Sequence, residues 1–290
     1  AGPLMSRAVS TEPSGWGAAL ANLARRSTTL IASVTFAISP MAFSAELDQL
    51  ISRAGSALSR SDTVTAQSIA IQATGLSDAD TTKLMALASR YREAGLRDET
   101  VGLLERAAEL GEDDPLVLER VARELGALNI RRRARDALER AVALTNMRGQ
   151  NPDLQSLVLL GDLNADLDEW PKAIDAYDSA LPLVPVAASL RAASIHERAI
   201  AANLRSGNPL DADRLTTFRA VVRKATPSRE RSWLLLDVST LLLRYGPRDP
   251  AILTDLELAG ALSGTLADAR LRSEVLLLSA RYLEQTGQYP

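Results

Sequence analysis

Apolar residues recur at every third or fourth position along most of the chain from residue 46 onward, and short polar breaks interrupt this pattern. Such spacing places the apolar side chains on one face of a helix. The breaks are rich in glycine, proline and aspartate, which end helices or cap their first turns. Extended runs of valine, isoleucine and threonine, which would indicate strands, do not occur. The pattern therefore predicts an all-α protein.

The predicted helices follow an internal repeat of large and small positions. The clearest unit covers residues 154–185. Six positions of this unit define the repeat, in the order large, small, small, aromatic, small and proline. The residues at these positions are Leu157, Gly161, Ala173, Tyr177, Ala180 and Pro185. Units that start at residues 47, 81 and 115 are 34 residues apart, and they carry Ala54, Ala88 and Ala122 at the place of Gly161. The unit at 154 follows an insertion that contains TNMRGQNPD.

This pattern resembles the tetratricopeptide repeat (TPR), a helix-turn-helix unit of about 34 residues. Asn164 departs from it, because the family usually has a large apolar residue there. The resemblance implies an α-solenoid of antiparallel helical hairpins, in which each hairpin buries its apolar face against its neighbours. It also implies a non-enzymatic scaffold that binds a protein partner on the concave face, which the first helices line.

The sequence predicts three regions. Residues 1–44 form a leader with a signal-peptide-like segment, residues 45–187 form the TPR-like repeats, and residues 188–290 form degenerate helical repeats. The final stretch, LLLSARYLEQTGQYP, matches the first helix and the turn of another unit, with Leu276, Ala280 and Leu283 at the fourth, eighth and eleventh positions. We therefore expect a truncated last repeat with a poorly supported helix, in a natural protein that continues further.

The leader contains Arg25-Arg26, an apolar run from Leu30 to Ile38, Pro40 and then small residues. A basic start, an apolar middle and a small-residue end, in that order, are typical of a secretory signal peptide. We expect cleavage after Ser44, with cleavage after Ala45 as the second choice, and a periplasmic or secreted protein. The alternatives are an uncleaved inner-membrane anchor, which would be the chain's only contact with a membrane, and a buried helix of a cytosolic protein.

The amino-acid composition limits the ligands and the catalytic groups that this chain can have. The formal net charge of -3 gives no basic field for nucleic acid, and the absence of cysteine excludes disulfides and thiolate sites. His196 is the only histidine, and its place inside a predicted helix favours a surface or interface role over catalysis. No metal or nucleotide motif occurs, so we predict neither a cofactor nor an enzyme.

Two surfaces are candidates for binding. By family position, the concave face would present Met85, Ser89, Arg92, Glu119, Arg123, Val158, Asp162 and Asp166. A basic patch, for an acidic protein or an anionic polymer, would consist of Arg131, Arg132, Arg133 and Arg135. The alternative for the patch is a solvated rim, because runs of charge are usually solvated.

The favoured function is thus an exported protein-interaction scaffold. One alternative is the non-catalytic leading part of a longer envelope enzyme, polysaccharide-export protein or outer-membrane protein. Another is a cytosolic or membrane-anchored adaptor.

Overall fold

The computed structural model describes residues 40–77, 79–246 and 249–288, with side chains from residue 45 onward. These residues contain 13 α-helices and no strand. The helices are α1 (Pro40–Ser59), α2 (Thr63–Thr74), α3 (Thr81–Glu93), α4 (Arg97–Leu110), α5 (Pro115–Ala127), α6 (Arg131–Met147), α7 (Leu154–Asp166), α8 (Trp170–Ala180), α9 (Ser189–Arg205), α10 (Ala212–Lys224), α11 (Arg229–Tyr245), α12 (Ala251–Thr265) and α13 (Ala269–Thr286). A short 3₁₀ turn, Leu181–Leu183, follows α8.

Consecutive helices pair as hairpins, α1 with α2 through α11 with α12, and α13 packs against α11 and α12. The odd-numbered helices are the first helices of the hairpins, and the even-numbered helices are the second. Buried apolar side chains form three clusters that follow one another along the stack. This arrangement confirms the predicted all-α solenoid of antiparallel hairpins.

The first helices of the first five hairpins end in a similar way, although three residues connect the two helices in four of these hairpins and six in the fifth. One residue in each turn has positive φ, although its identity varies: Ser61, Gly95, Asn129, Asp168 and Gly207. The next backbone N–H donates to a carbonyl five residues back, as from Glu169 to Asn164 at 2.9 Å and from Asn208 to Asn203 at 3.3 Å. These bonds satisfy carbonyl groups that the helix end leaves open. Aspartates then cap many of the helices, as Asp80 does for α3.

Small residues lie where helices cross. Ala54, Ala88, Ala122, Ala173 and Ala180 are fully buried, with at most 1% of their surface exposed. Tyr177 is 1% exposed, and a Cβ atom added at Gly161 would lie 2.3 Å from its Cε1 atom. Pro185 differs, because it is exposed in the loop after the 3₁₀ turn. The buried small positions are the ones that the TPR-type register predicts.

The last helix is better supported than the sequence predicts. Leu271, Val275, Leu278 and Tyr282 of α13 are buried in the last apolar cluster. Leu276, on another face of α13, is 65% exposed. Gln288 N donates to Leu283 O at 3.0 Å, so α13 ends with the backbone bond that Glu169 N forms with Asn164 O after α7 and Gln150 N forms with Thr145 O after α6.

The predicted signal segment lies almost entirely outside the described residues. The expected cleavage site between Ser44 and Ala45 falls inside α1, and Leu47, at 1% exposed, is the first buried apolar residue of the described chain. Among the helices described, none is long and apolar enough to cross a membrane. The boundaries at residues 44 and 187 stay predictions.

We predict that Gly161→Ala destabilises the protein, because the added methyl group overlaps the ring of Tyr177. The expected loss is roughly 1–3 kcal/mol, the usual cost of overpacking a core. Gly102→Ala is the matched control, since nothing lies within 4 Å of a Cβ placed on that α4 glycine. The control should gain about 0.5–1 kcal/mol from helix propensity. Urea denaturation followed by circular dichroism measures both, and equal effects would contradict the close crossing.

Candidate functional site

A groove runs across the first helices α7, α9 and α11. It consists of one cavity of about 390 Å³ between α7 and α9 and another of about 310 Å³ between α9 and α11. Glu197 and Arg205 of α9 line both cavities, so the two are continuous along one face of that helix. We call this feature the first-helix groove.

On the α7 side of the groove, the negative charge of Asp162 is neutralised by residues of the same chain. The Tyr177 hydroxyl donates to Asp162 Oδ1 at 2.8 Å, and the Arg198 guanidinium forms an ion pair with Asp162 Oδ2. Burial, together with the Asp162 charge, raises the pKa of Tyr177, so the phenol stays protonated and keeps this bond. Arg198 reaches Asp162 from the next first helix, and the pair therefore ties two adjacent hairpins together.

The α11 side carries carboxylates without such partners. The side-chain carboxylates of Glu197 and Asp237 form no hydrogen bond or ion pair with another described residue. Burial, reinforced by the Asp237 charge, raises the pKa of Glu197 to about 7. Partial burial of its own carboxyl also raises the pKa of Asp237. Burial thus disfavours the charged form of Glu197, with Arg198 and Arg205 partly offsetting it, whereas the Asp237 residue as a whole is exposed.

Cations and an aromatic ring complete the groove. Arg205 lies between the two cavities, and Arg244 and Tyr245 line the α11 cavity. The Arg244 guanidinium stacks over the Tyr245 ring at 5.1 Å from its centroid. Opposite charges and an exposed aromatic surface are suited to a polypeptide segment with several side-chain types.

The sequence-predicted concave residues are largely engaged within the fold. Met85 and Glu119 are buried, Val158 packs on an apolar cluster, and Ser89 is half-buried. Arg92 forms an ion pair with Glu124, and Arg123 lies 3.4 Å from Glu119 and 3.8 Å from Asp153. Of the predicted set, Asp162 and Asp166 line the first-helix groove. Whether these residues bind a partner stays a prediction.

The predicted basic patch is mostly paired with acids. Arg131 Nε lies 3.1 Å from Asp166 Oδ2, Arg133 contacts Glu105, and Arg135 contacts Glu169 and Asp136. Arg132 is exposed. Most of this charge joins neighbouring helices, which favours the solvated-rim alternative. Binding of an acidic partner or an anionic polymer there stays an untested prediction.

No group of three or more histidine, cysteine, aspartate or glutamate residues that could hold a metal occurs within the described ranges. His196 is half-buried in α9, and its Nδ1 atom has no hydrogen-bond partner. Burial and the Arg214 charge lower the pKa of His196, which favours the neutral ring.

The sequence analysis did not predict four residues that line the groove, namely Glu197, Arg205, Asp237 and Arg244. Beyond residue 186 the repeat positions are no longer filled by small residues, so the first helices cannot be aligned by that pattern. The turns allow the alignment, since Asp168 and Gly207 both have positive φ and are 39 residues apart. Counting back from Gly207 places Glu197 and Arg205 on the face that Val158 and Asp166 occupy in α7.

No family model and no curated protein matches the chain. Among solved structures, the MamA protein is 15% identical, with 72% of this chain and 92% of that chain covered and a TM-score of 0.39. MamA from Desulfovibrio magneticus RS-1 is 14% identical, with 72% of this chain and 97% of that chain covered and a TM-score of 0.38. YrrB, described as a TPR protein with an unusual peptide-binding site, is 11% identical, with 71% of this chain and 86% of that chain covered and a TM-score of 0.37. Likeness at this level carries no argument about function.

The raised pKa of Glu197 predicts a pH-dependent stability. The folded-state pKa of about 7 lies above the ordinary value of 4.5. The contribution of Glu197 to the free energy of unfolding is therefore full below pH 4.5 and is lost as pH rises through 7. Glu197→Gln cannot ionise, so the variant does not lose stability in this way. The variant should therefore gain stability relative to the parent between pH 5 and 8, on the order of 2 kcal/mol.

Urea midpoints measured at pH 5, 6, 7 and 8 test this prediction. Glu257→Gln, which removes one exposed acidic charge from α12, controls for net charge. A difference between Glu197→Gln and the parent that does not change with pH would contradict the assignment.

Proposed function

We propose that this protein is a non-enzymatic TPR-type scaffold that holds a segment of a protein partner in the first-helix groove. One observation carries the proposal. Much of the surface charge on the repeats is paired between helices, whereas Glu197, Asp237 and Arg205 line the groove without a described ion-pair partner. Asp237 and Arg205 are exposed, whereas Glu197 is half-buried, and a half-buried charge without a partner costs free energy. A bound segment that pairs with Glu197 would recover that cost.

The shape of the groove supports an extended or helical peptide. The two cavities follow one another across three first helices, with Trp170 on the α7 side and Tyr245 on the α11 side. Aromatic residues of this kind supply contact area at low cost in conformational entropy. A groove of this length with mixed charge is suited to a chain of several residues.

A different cavity is less suited to this role. The space of about 540 Å³ between α4 and α6 has an apolar floor that includes Leu118 and Val121. Arg133 contacts Glu105 on its rim, and Arg140 Nη2 lies 3.0 Å from Glu112 Oε2. These ion pairs link α6 to α4 and to the turn after it, so the rim charges already have partners.

We further propose that the scaffold is exported to the periplasm or secreted. This part rests on the order of basic, apolar and small residues before Ala45. Because Leu47 is the first buried residue among those with described side chains, a cut after Ser44 would leave the described core complete. The uncleaved, membrane-anchored form is the alternative.

We predict that a bulky side chain at position 240 blocks the groove. Thr240 is exposed and lines the α11 cavity, so Thr240→Trp fills space without removing a buried group. Peptides are selected from a random phage-displayed 12-residue library on the full chain, and their affinities are measured by fluorescence anisotropy. We expect the selected peptides to bind Thr240→Trp at least about tenfold more weakly, equivalent to about 1.4 kcal/mol.

Thr216→Trp, at an exposed position on the second helix α10, is the matched control and should bind as the parent does. Failure to select any peptide, or equal binding by both tryptophan variants, would reject the groove as the binding site.

Export predicts a defined mature N-terminus. When the chain is expressed in a bacterial host with an added initiator methionine, we expect periplasmic protein that begins at Ala45. Mass spectrometry of the intact protein, with N-terminal sequencing, measures this. A start at Glu46 would instead select the second cleavage site. Soluble cytosolic protein that retains Arg25-Arg26 would refute export.

A further inference from the structure

One face of the last helix, α13, is apolar and exposed. Its opposite face packs against α11 and α12 through the side chains that belong to the last apolar cluster. On the exposed face, Leu276 is 65% exposed and Leu277 is 48% exposed. Ser273, Ala280 and Leu283 continue this face, because they follow the leucines at intervals of three or four residues.

The corresponding face is covered in the other hairpins. The fourth-position leucine of each of the first four units lies in a first helix that packs against its second helix, and it is at most 4% exposed. These leucines are Leu50, Leu84, Leu118 and Leu157. In each case a residue with positive φ follows the leucine by 11 positions, as Gly287 follows Leu276 in α13. Leu276 therefore occupies the same position, and no second helix covers it within the described ranges.

A second helix covers such a face with a fixed order of residue sizes. It runs antiparallel to the first helix and presents a small, a large and a small residue, at intervals of four and then three. The large residue faces the small eighth position of the first helix, as Tyr177 faces Gly161. In α6 and α8 these side chains are at most 1% exposed, and they are Ala134, Leu138, Ala141, Ala173, Tyr177 and Ala180.

The helix α13 itself carries this order of residue sizes. Ser273, Leu277 and Ala280 are small, large and small, at the same intervals of four and three. The register in which Tyr177 faces Gly161 can therefore be applied to two antiparallel copies of α13. Leu277 of one copy then faces Ala280 of the other, and Leu283 faces Ser273. A two-fold axis repeats each of these contacts, as a symmetric dimer requires.

We propose that two copies of this chain form a symmetric dimer in which their α13 helices pack antiparallel, each in the place of a second helix for the other. The surface involved is separate from the first-helix groove, since none of the residues that line that groove lies on α13. The dimer therefore does not depend on the proposed function.

The charges at the two ends of this face favour a second copy over an unrelated helix. Arg272 and Glu284 are exposed, and neither forms an ion pair with another described residue. In the antiparallel register, Arg272 of one copy is level with Glu284 of the other, and symmetry repeats the pair at the other end. A parallel arrangement would instead place like charges at the same level, which is unfavourable.

The size of this interface sets the expected affinity. One helix from each copy gives a smaller interface than the standard size of about 1,600 Å². We therefore expect a reversible dimer with a Kd on the order of 10 µM. Such a dimer carries two first-helix grooves, which would raise the apparent affinity for a partner with two binding segments.

Sedimentation equilibrium of the full chain, from about 1 to about 300 µM, tests the dimer. We expect the weight-average mass to rise from 31.1 kDa toward twice that value. Leu276→Glu places a charge in the interface and should weaken association at least about tenfold. Ile71→Glu is the matched control and should associate as the parent does, because Ile71 is 73% exposed on α2. Both replaced side chains are exposed, and thermal melting followed by circular dichroism checks that both variants fold.

Disulfide cross-linking tests the orientation of the two helices. The chain has no cysteine, so introduced cysteines report only the designed contacts. Ser273→Cys mixed with Leu283→Cys should give a cross-linked dimer under mild oxidation. Either variant alone should not, because identical positions would lie about 15 Å apart along the helix axis.

The possible outcomes are distinct. A chain that stays monomeric over this range, or an association that Leu276→Glu leaves unchanged, would overturn the dimer and leave the groove proposal unaffected. Equal weakening by Leu276→Glu and Ile71→Glu would overturn it as well. Cross-linking of Ser273→Cys with itself would contradict the antiparallel register.

Discussion

The two helices of a hairpin pack most closely where one of them presents a small residue at the crossing. Gly161 against Tyr177 is the tightest example described, since even a methyl group at position 161 would overlap the ring. The fully buried alanines at equivalent positions serve the same purpose in other hairpins. Close pairing leaves each hairpin with apolar side chains on its outer faces, and stacking on the next hairpin buries them. The solenoid and its groove between first helices follow from that constraint.

The sequence predicted most where these small positions are regular. Ala54, Ala88 and Ala122 gave the register of the early hairpins, and the structure buries all three. In α9 the position corresponding to Gly161 carries Ile200, which is also buried, so a search for small residues loses the repeat there. The groove acids were missed for this reason. Their unpaired state could not be predicted in any case, because it depends on which side chains reach across from neighbouring helices.

Arginine links successive hairpins throughout the described chain. Its partners lie about one repeat away in sequence, as with Arg135 and Glu169, 34 residues apart, or Arg214 and Asp178, 36 residues apart. A planar guanidinium with several donors is suited to bridging two helices in this way. Exposed pairs of this kind contribute little free energy each, but they fix which acids remain available. In the α9–α11 half of the groove, the carboxylates of Glu197 and Asp237 form no such pair with a described arginine.

The turns of the first five hairpins are closed by backbone hydrogen bonds, and only one residue in each must accept positive φ. Serine, glycine, asparagine and aspartate all fill that place. Because the joint does not depend on a particular side chain, helix length can change without a new turn being required. The 17 residues of α9 and the 13 of α7 end in the same way. A gene encoding such hairpins can thus gain or lose helical turns while its joints are conserved, and groove length becomes an evolvable property separate from the fold.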